Sequence, residues 1–230
     1  PTIYPQKMSI NTESGFSTIE YKGNGGSAGN TVPHGLSVAP DMVIIKNMTD
    51  PSNWPSLMRP YMGGQFNTTV ALNNSGTSTS AFNNTLPTST LVTLGADAEV
   101  IGLNNNIIMY NFHSVNGYLR VGTYTGDAST SGNIVYNTDD ATATGDGGFE
   151  PAFLMIKAAT STGEWVILDN KRNPSNPRNT SLLITSVAET TGSTSGFYPV
   201  NFLTNGFEPL QNTASFNASG VVYSYIAIAG

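Results

Sequence analysis

The sequence predicts an all-β protein of two tandem, related, jelly-roll-like β-sandwich halves packed as one unit. Three observations carry this. Short apolar runs recur along the chain, Asn-Gly pairs separate several of them, and blocks of the first half reappear in the second at a fixed spacing.

Thr18-Ile19-Glu20-Tyr21 alternates. Met42-Val43-Ile44-Ile45, Ile107-Ile108-Met109-Tyr110-Asn111-Phe112, Phe153-Leu154-Met155-Ile156 and Trp165-Val166-Ile167-Leu168 are continuous apolar runs, and Val221-Val222-Tyr223-Ser224-Tyr225-Ile226 lies close to the end. Runs this short, rich in β-branched and aromatic residues, form strands, and no segment has the period of an amphipathic helix. Asn24-Gly25, Asn116-Gly117 and Asn205-Gly206 supply the positive φ that tight reversals need.

The repeat organises these elements. Ala39-Pro40-Asp41-Met42-Val43-Ile44-Ile45-Lys46 matches Glu150-Pro151-Ala152-Phe153-Leu154-Met155-Ile156-Lys157 at an offset of 111 (40 to 151), which also carries Trp54 onto Trp165 and Gly95 onto Gly206. Tyr21-Lys22-Gly23-Asn24 matches Tyr124-Thr125-Gly126-Asp127 at an offset of 103 (21 to 124). The difference of eight residues is expected in the polar stretch 137–148. The halves are expected at 15–117 and 118–230 with no linker between them. Residues 1–14, with two prolines and no alternation, are expected to form an N-terminal arm that docks on a neighbour.

Composition bounds the function. Only 10% of the 230 residues are charged, the net charge is −6 and the isoelectric point is near 4.7. An acidic chain lacks the field that attracts phosphate, so neither nucleic acid nor an anionic membrane surface is an expected partner. With no cysteine there are no disulfides or thiolate metal sites. No apolar run approaches the roughly 20 residues of a membrane-spanning helix, and Pro1-Thr2-Ile3-Tyr4-Pro5 has no feature of a signal peptide.

Few residues suggest chemistry, and catalysis is not expected. Gly25-Gly26-Ser27-Ala28-Gly29 fits the spacing of a nucleophile elbow and Gly23-x-Gly25-x-x-Ala28 resembles a dinucleotide fingerprint, but neither is followed by a helix signal. Glu164 and Asp169 are the best carboxylate pair for glycoside hydrolysis, yet their odd separation puts them on opposite faces of a strand. His34 and His113 lack metal spacing, and His34 beside Gly35 reads as a turn residue. Asp139, Asp140 and Asp146 could supply oxygen ligands to calcium, the one cofactor considered, against the simpler reading of a solvated loop. Trp54 and Trp165 could stack on sugars, although equivalent placement favours core packing. Lys171, Arg172 and Arg178 place three of nine basic residues in one loop, suited to an acidic glycan or a neighbouring subunit. The loops at 23–35, 137–149 and 170–179 are the expected contact surface.

The stretch Gly15-Phe16-Ser17-Thr18-Ile19-Glu20-Tyr21-Lys22-Gly23-Asn24, then Val32-Pro33-His34-Gly35-Leu36-Ser37-Val38-Ala39-Pro40-Asp41-Met42-Val43-Ile44-Ile45-Lys46-Asn47, then Asn53-Trp54, resembles a domain of uncharacterised function that recurs in structural and tail-fibre-like proteins of marine tailed phages. Gly122-Thr123-Tyr124-Thr125-Gly126-Asp127 and Phe149-Glu150-Pro151 resemble its second half. The resemblance runs from about residue 15 to the end and brings no catalytic residues. It implies a non-catalytic virion protein: a tail fibre, spike or capsid decoration, assembled with its own copies and other virion proteins and touching a host-surface glycan. A carbohydrate-binding adhesin of a bacterial surface and a polysaccharide depolymerase are the alternatives.

Overall fold

Short apolar runs satisfy their backbone groups by pairing with one another. In this computed structural model, which describes residues 1–58, 69–71, 77–78, 81–138, 147–184, 189–191 and 198–230, each pairing between named strands is antiparallel. The chain divides into two compact units, Pro1–Ser114 and Val115–Gly230.

The first unit contains β1 (Pro5–Asn11), β2 (Phe16–Lys22), β3 (Asn30–Pro33), β4 (Met42–Asn47), β5 (Pro55–Met58), β6 (Thr69–Ala71), β7 (Thr77–Ser78), β8 (Leu91–Leu94), α1 (Ala98–Ile101) and β9 (Asn106–Phe112). Its large sheet has the order β1-β2-β9-β4-β5-β6-β7, and β3 pairs with β8. The second unit contains β10 (Leu119–Thr125), β11 (Val135–Tyr136), β12 (Pro151–Ala158), β13 (Trp165–Asp169), β14 (Thr180–Leu183), β15 (Glu189–Thr191), β16 (Val200–Leu203), β17 (Gly206–Pro209) and β18 (Val222–Ala229). Its sheets have the orders β10-β18-β12-β13-β14-β15 and β11-β17-β16.

Each unit is a sandwich around its own core. In the first, Ile19 and Tyr21 of β2, Val43 and Ile45 of β4, and Ile107 and Met109 of β9 line one face of the large sheet. They meet Val32 of β3, Val92 and Leu94 of β8, and Val100 and Ile101 of α1. In the second, Tyr124, Leu154, Ile156, Tyr223 and Tyr225 meet Val135, Val200, Phe202, Phe207 and Phe216. Aromatic rings fill that core, with Tyr124 stacked on Tyr223 at 5.0 Å and Phe207 edge-on to Tyr225 at 5.0 Å.

The pairing register is the same in both units. Phe16 faces Phe112 and Tyr21 faces Ile107; Leu119 faces Ile228 and Tyr124 faces Tyr223. The offsets are 103 on the first strand (16 to 119) and 116 on the second (112 to 228). Met42 opposite Phe112 and Met58 becomes Phe153 opposite Ile228 and Asp169, which preserves the offset of 111 (42 to 153). Side-chain anchors follow. Tyr21 Oη donates to the Val100 carbonyl (2.8 Å) and Tyr124 Oη to that of Phe216. A Cβ on Gly23 would stand 2.1 Å from the Gly102 oxygen, and one on Gly126 would stand 2.2 Å from the Ala218 oxygen. Both glycines are there because a carbonyl lies against them.

Several expectations need correction. Residues 1–14 are no free arm: Ile3 is buried in the first core and β1 pairs along β2. The segment does alternate, with polar Lys7, Ser9 and Asn11 between apolar Met8 and Ile10, but two apolar residues are a weak signal and six of the seven residues of β1 are exposed. The division falls at 114/115, not 117/118, because Asn116-Gly117 is the turn that opens the second unit, with Leu119 N–H donating to the Val115 carbonyl (2.9 Å) and Gly117 at φ +73. Gly95 and Gly206 are not equivalent. Val32 faces Val92 and Val135 faces Phe207, an offset of 115 on the later strand (92 to 207), so Gly206 corresponds to Leu91.

Because each carbonyl is fixed by the chain around it, Gly23→Ala and Gly126→Ala should each destabilise their unit by about 1–3 kcal/mol. Urea unfolding measures this, and losses below a few tenths would contradict the close approach.

Candidate binding surface

The register brings loops together. Lys22 pairs with Asn106, and Asn47 with Ile107. The ends of β2 and β4 therefore lie beside the start of β9, and loops 23–29, 48–54 and 102–105 converge at one end of the first unit.

That end is braced by its own polar groups. Met48 N–H donates to the Asn106 carbonyl (2.8 Å), Asn104 N–H to Gly23 (2.9 Å) and Gly25 N–H to Ile101 (2.7 Å). Asn47 is buried; its Oδ1 accepts from the amides of Thr49 (2.9 Å) and Asp50 (3.1 Å), while its Nδ2 donates to the Ala98 carbonyl (3.2 Å). Asn105 Nδ2 donates to Asp50 Oδ2 (2.6 Å) and Asn53 Nδ2 to Glu99 Oε1 (2.9 Å). Asn and Asp suit this work because their short side chains reproduce backbone turns. Leu103 is 67% and Met48 52% exposed at this end. The surface is fixed in shape and holds few full charges, so covering it desolvates mainly amides and hydroxyls.

The second unit repeats the scheme. Ser129 donates to Asp127 Oδ1 through its amide (2.8 Å) and its hydroxyl (2.6 Å), as Gly26 N–H does to Asn24 Oδ1 (3.0 Å). Asn217, fully buried, donates to Asp127 Oδ1 (3.2 Å) and the Ser129 carbonyl (2.9 Å) and accepts from Asn133 (2.7 Å). The Ser129 hydroxyl, then its amide, then Asn217 hold the Asp127 carboxyl below its ordinary range.

Trp165 packs in the interior, as its equivalent placement with Trp54 favoured, and Trp54 is half-buried. Trp165 is fully buried, so its ring cannot stack on a sugar. It faces Lys157 across the strand pair, and Lys157 Nζ donates to the Gly163 carbonyl (2.7 Å). Lys46 Nζ donates likewise to the Ser52 carbonyl (2.7 Å) and lies 5.5 Å from the half-buried Trp54 ring. Burial is the larger influence on Lys157 and brings its ammonium down to about 8, while Glu164 acts in the opposite direction. The signal for both pairs was the lysine closing each repeated block.

The basic loop is mostly spent on structure. Arg178 is 5% exposed; Nη1 donates to the Asn173 carbonyl (2.8 Å), Nη2 reaches Glu150 at 3.5 Å, and its guanidinium lies 5.1 Å from the Phe202 ring. Arg172 pairs with Asp169 at 2.8 Å. Lys171 alone of the three is exposed. Sequence reading missed this because Glu150, Asn173 and Phe202 are brought to Arg178 by the fold.

The candidate calcium residues Asp139, Asp140 and Asp146 lie outside the described residues, with most of loop 137–149. Among the described residues no three His, Asp or Glu side chains converge as metal ligands. Glu164 precedes β13 and Asp169 ends it, a separation of roughly 16 Å along a strand, beyond the span of a glycosidase pair. Gly25–Gly29 is a loop, with Gly25 and Gly29 at positive φ.

His34 is fully buried, and Gly35 beside it has φ +75. Its Nδ1 accepts from Leu36 N–H (3.2 Å), which leaves Nε2 to donate to the Thr88 carbonyl (3.1 Å). Its own carbonyl accepts from Ser17 Oγ (2.6 Å), and Asn111 Nδ2 donates to that oxygen (3.2 Å). Asn137 holds the matching place in the second unit, at the offset of 103 (34 to 137), and is also buried.

These features define an antiparallel β protein of two like-registered units, each with a braced loop end. The chain belongs to the family described as Domain of unknown function (DUF7483), which it matches over residues 3–230. The match takes in β1 as well as both units. No curated protein and no solved structure matches the chain.

Burial, and to a lesser degree His113, lowers the His34 pKa, against the hydrogen bond to Thr88. A proton on Nδ1 would confront the Leu36 amide. The unfolded chain takes that proton near pH 6.5 and the folded chain only at lower pH, so this group's contribution is complete above about 6.5 and is lost as pH falls below it. Urea midpoints at pH 7.5 and 5.5 should therefore diverge, and His34→Asn should flatten the difference. An unchanged difference in the variant would contradict the role.

Proposed function

We propose that this chain is a non-catalytic structural component of a tailed-phage virion, built from a duplicated β-sandwich module. It works through assembly with its own copies and other virion proteins, and through contact with the host surface. The observation that carries the reading is one strand register used twice, each time ending in side-chain-braced loops, on a chain only 10% charged. Repeated subunit contacts favour such a surface, since few charges lose water. Many copies of a weak contact bind a host strongly by multivalency. The resemblance through Val32 to Asp41 and Asn53-Trp54 to tail-fibre-like proteins supports the phage setting. Loop 23–29 and its neighbours are the proposed host-facing end of the first unit; Lys171 is the remaining exposed candidate in the basic loop.

Immunogold electron microscopy with antibody to the purified chain tests this. Label on tail tips or fibres is the expected result. Even label over heads would make the chain a decoration protein and remove host contact from the account. Label on uninfected bacterial cells with none on particles would overturn the virion reading in favour of an adhesin. Release of reducing ends from host polysaccharide would overturn the non-catalytic one.

A further inference from the structure

The first strand of the first unit is an open edge. β1 is terminal in its sheet. Gly23 N–H donates to the Asn105 carbonyl (3.0 Å) and His113 N–H to that of Gly15 (2.8 Å), so odd-numbered residues of β2 bond β9 and even-numbered ones bond β1. Ser9 faces Thr18 and Asn11 faces Phe16. Lys7, Ser9 and Asn11 therefore turn their amides and carbonyls to β2, while those of Met8 and Ile10 point away from the sheet.

Proteins usually blunt such an edge with charge, proline or a short strand. Here the strand is seven residues long and its only charge, Lys7, is paired with Glu20 at 3.2 Å. Met8 and Ile10 are each 44% exposed, although both lie against Gly35, where a Cβ would stand 2.3 Å from Ile10 Cδ1. Val38, three residues further along that loop, is 44% exposed too. An unpaired ladder and exposed apolar side chains thus coincide.

We infer that this edge is a self-association surface, at which β1 of one chain pairs antiparallel with β1 of a second copy about a two-fold axis. The occupant is argued from the strand itself. A two-fold contact uses the same patch twice, and centring it on Met8 sets Met8 against Met8, Ile10 against Gln6 and Lys7 against Ser9. No like charges face each other, and each Lys7 keeps its own Glu20. The other described edges of the two largest sheets are poorer partners. On β10, Leu119 is bonded to Val115 and the Thr125 carbonyl accepts from Asn133, while β7 has two residues and β15 three. Among the described residues the second unit has no strand at the place of β1, and most of the residues at that offset already form β9. The inference gives the assembly reading a surface, yet it is tested on the purified chain, so its failure leaves the particle location untouched.

Sedimentation at about 100 μM, where micromolar affinity fills an interface, should give a dimer of twice 24.2 kDa. Met8→Pro removes an outward amide and no bond to β2, so it should weaken association at least about ten-fold. Since the chain has no cysteine, Met8→Cys should form a disulfide-linked dimer on mild oxidation, well beyond Thr123→Cys on the β10 edge. Amide exchange on the unaltered protein gives a reading without mutation: Met8 and Ile10 should be protected more at high concentration than at low. A monomer at that concentration would overturn the inference, as would a dimer with equal cross-linking at both positions and concentration-independent exchange at Met8 and Ile10.

Discussion

Each unit depends on its last strand. β9 lies between β2 and β4, and β18 lies between β10 and β12. The unit cannot close until its final residues arrive: Phe16 waits for Phe112, and Leu119 for Ile228. Contacts this distant carry a large loop-closure cost and slow folding. Once in place, the last strand fixes the register of both neighbours, and the loop ends follow from it. The turn before it, formed by α1 in the first unit and by Thr213 to Asn217 in the second, is held by Tyr21 and Tyr124. Each tyrosine sends its hydroxyl through the core to a carbonyl there. Losing such a bond strands a buried acceptor at a cost of about 1–3 kcal/mol.

Only 10% of the residues are charged, and among the described residues asparagine does much of the work of stiffening loops. Asn47, Asn105 and Asn217 each bridge segments that are remote in sequence. Loops ordered in advance lose less entropy on binding. A braced loop end lined mainly by amides and hydroxyls would suit the proposed assembly role. The burial of Trp165 and Arg178 sharpens this picture. These two residues help to seal the second unit, and the exposed chemistry of the described residues is mostly amide and hydroxyl, with a few apolar tips and scattered charges such as Lys171.

The large sheets were legible in the sequence because their central strands are apolar runs. Met42 to Ile45, Ile107 to Phe112, Phe153 to Ile156 and Trp165 to Leu168 all fall within strands, and the offset of 111 survives as pairing register. The extra eight residues between the offsets of 103 and 111 fall between β11 and β12, as the repeat implied. β1 was overlooked although Lys7-Met8-Ser9-Ile10-Asn11 alternates, because only two apolar residues mark it and both stay partly exposed at the sheet edge. Gly95 and Gly206 shared an offset by coincidence, since further insertions move the later strands to 115 and 116. The site was less legible than the fold. Core packing of Trp165 was the favoured reading, from its equivalence to Trp54, whereas Arg178 read as a surface candidate because its burial depends on Phe202, Glu150 and Asn173, which no local pattern brings together.

The shared register is the claim on which the account rests, and cross-strand proton contacts in solution test it most directly. Non-hydrogen-bonded antiparallel pairs bring their Hα atoms close together. Hα–Hα contacts are expected between Thr18 and Tyr110 in the first unit and between Val121 and Ile226 in the second, which are equivalent at offsets of 103 and 116. A one-residue shift of either pair relative to the other would contradict it.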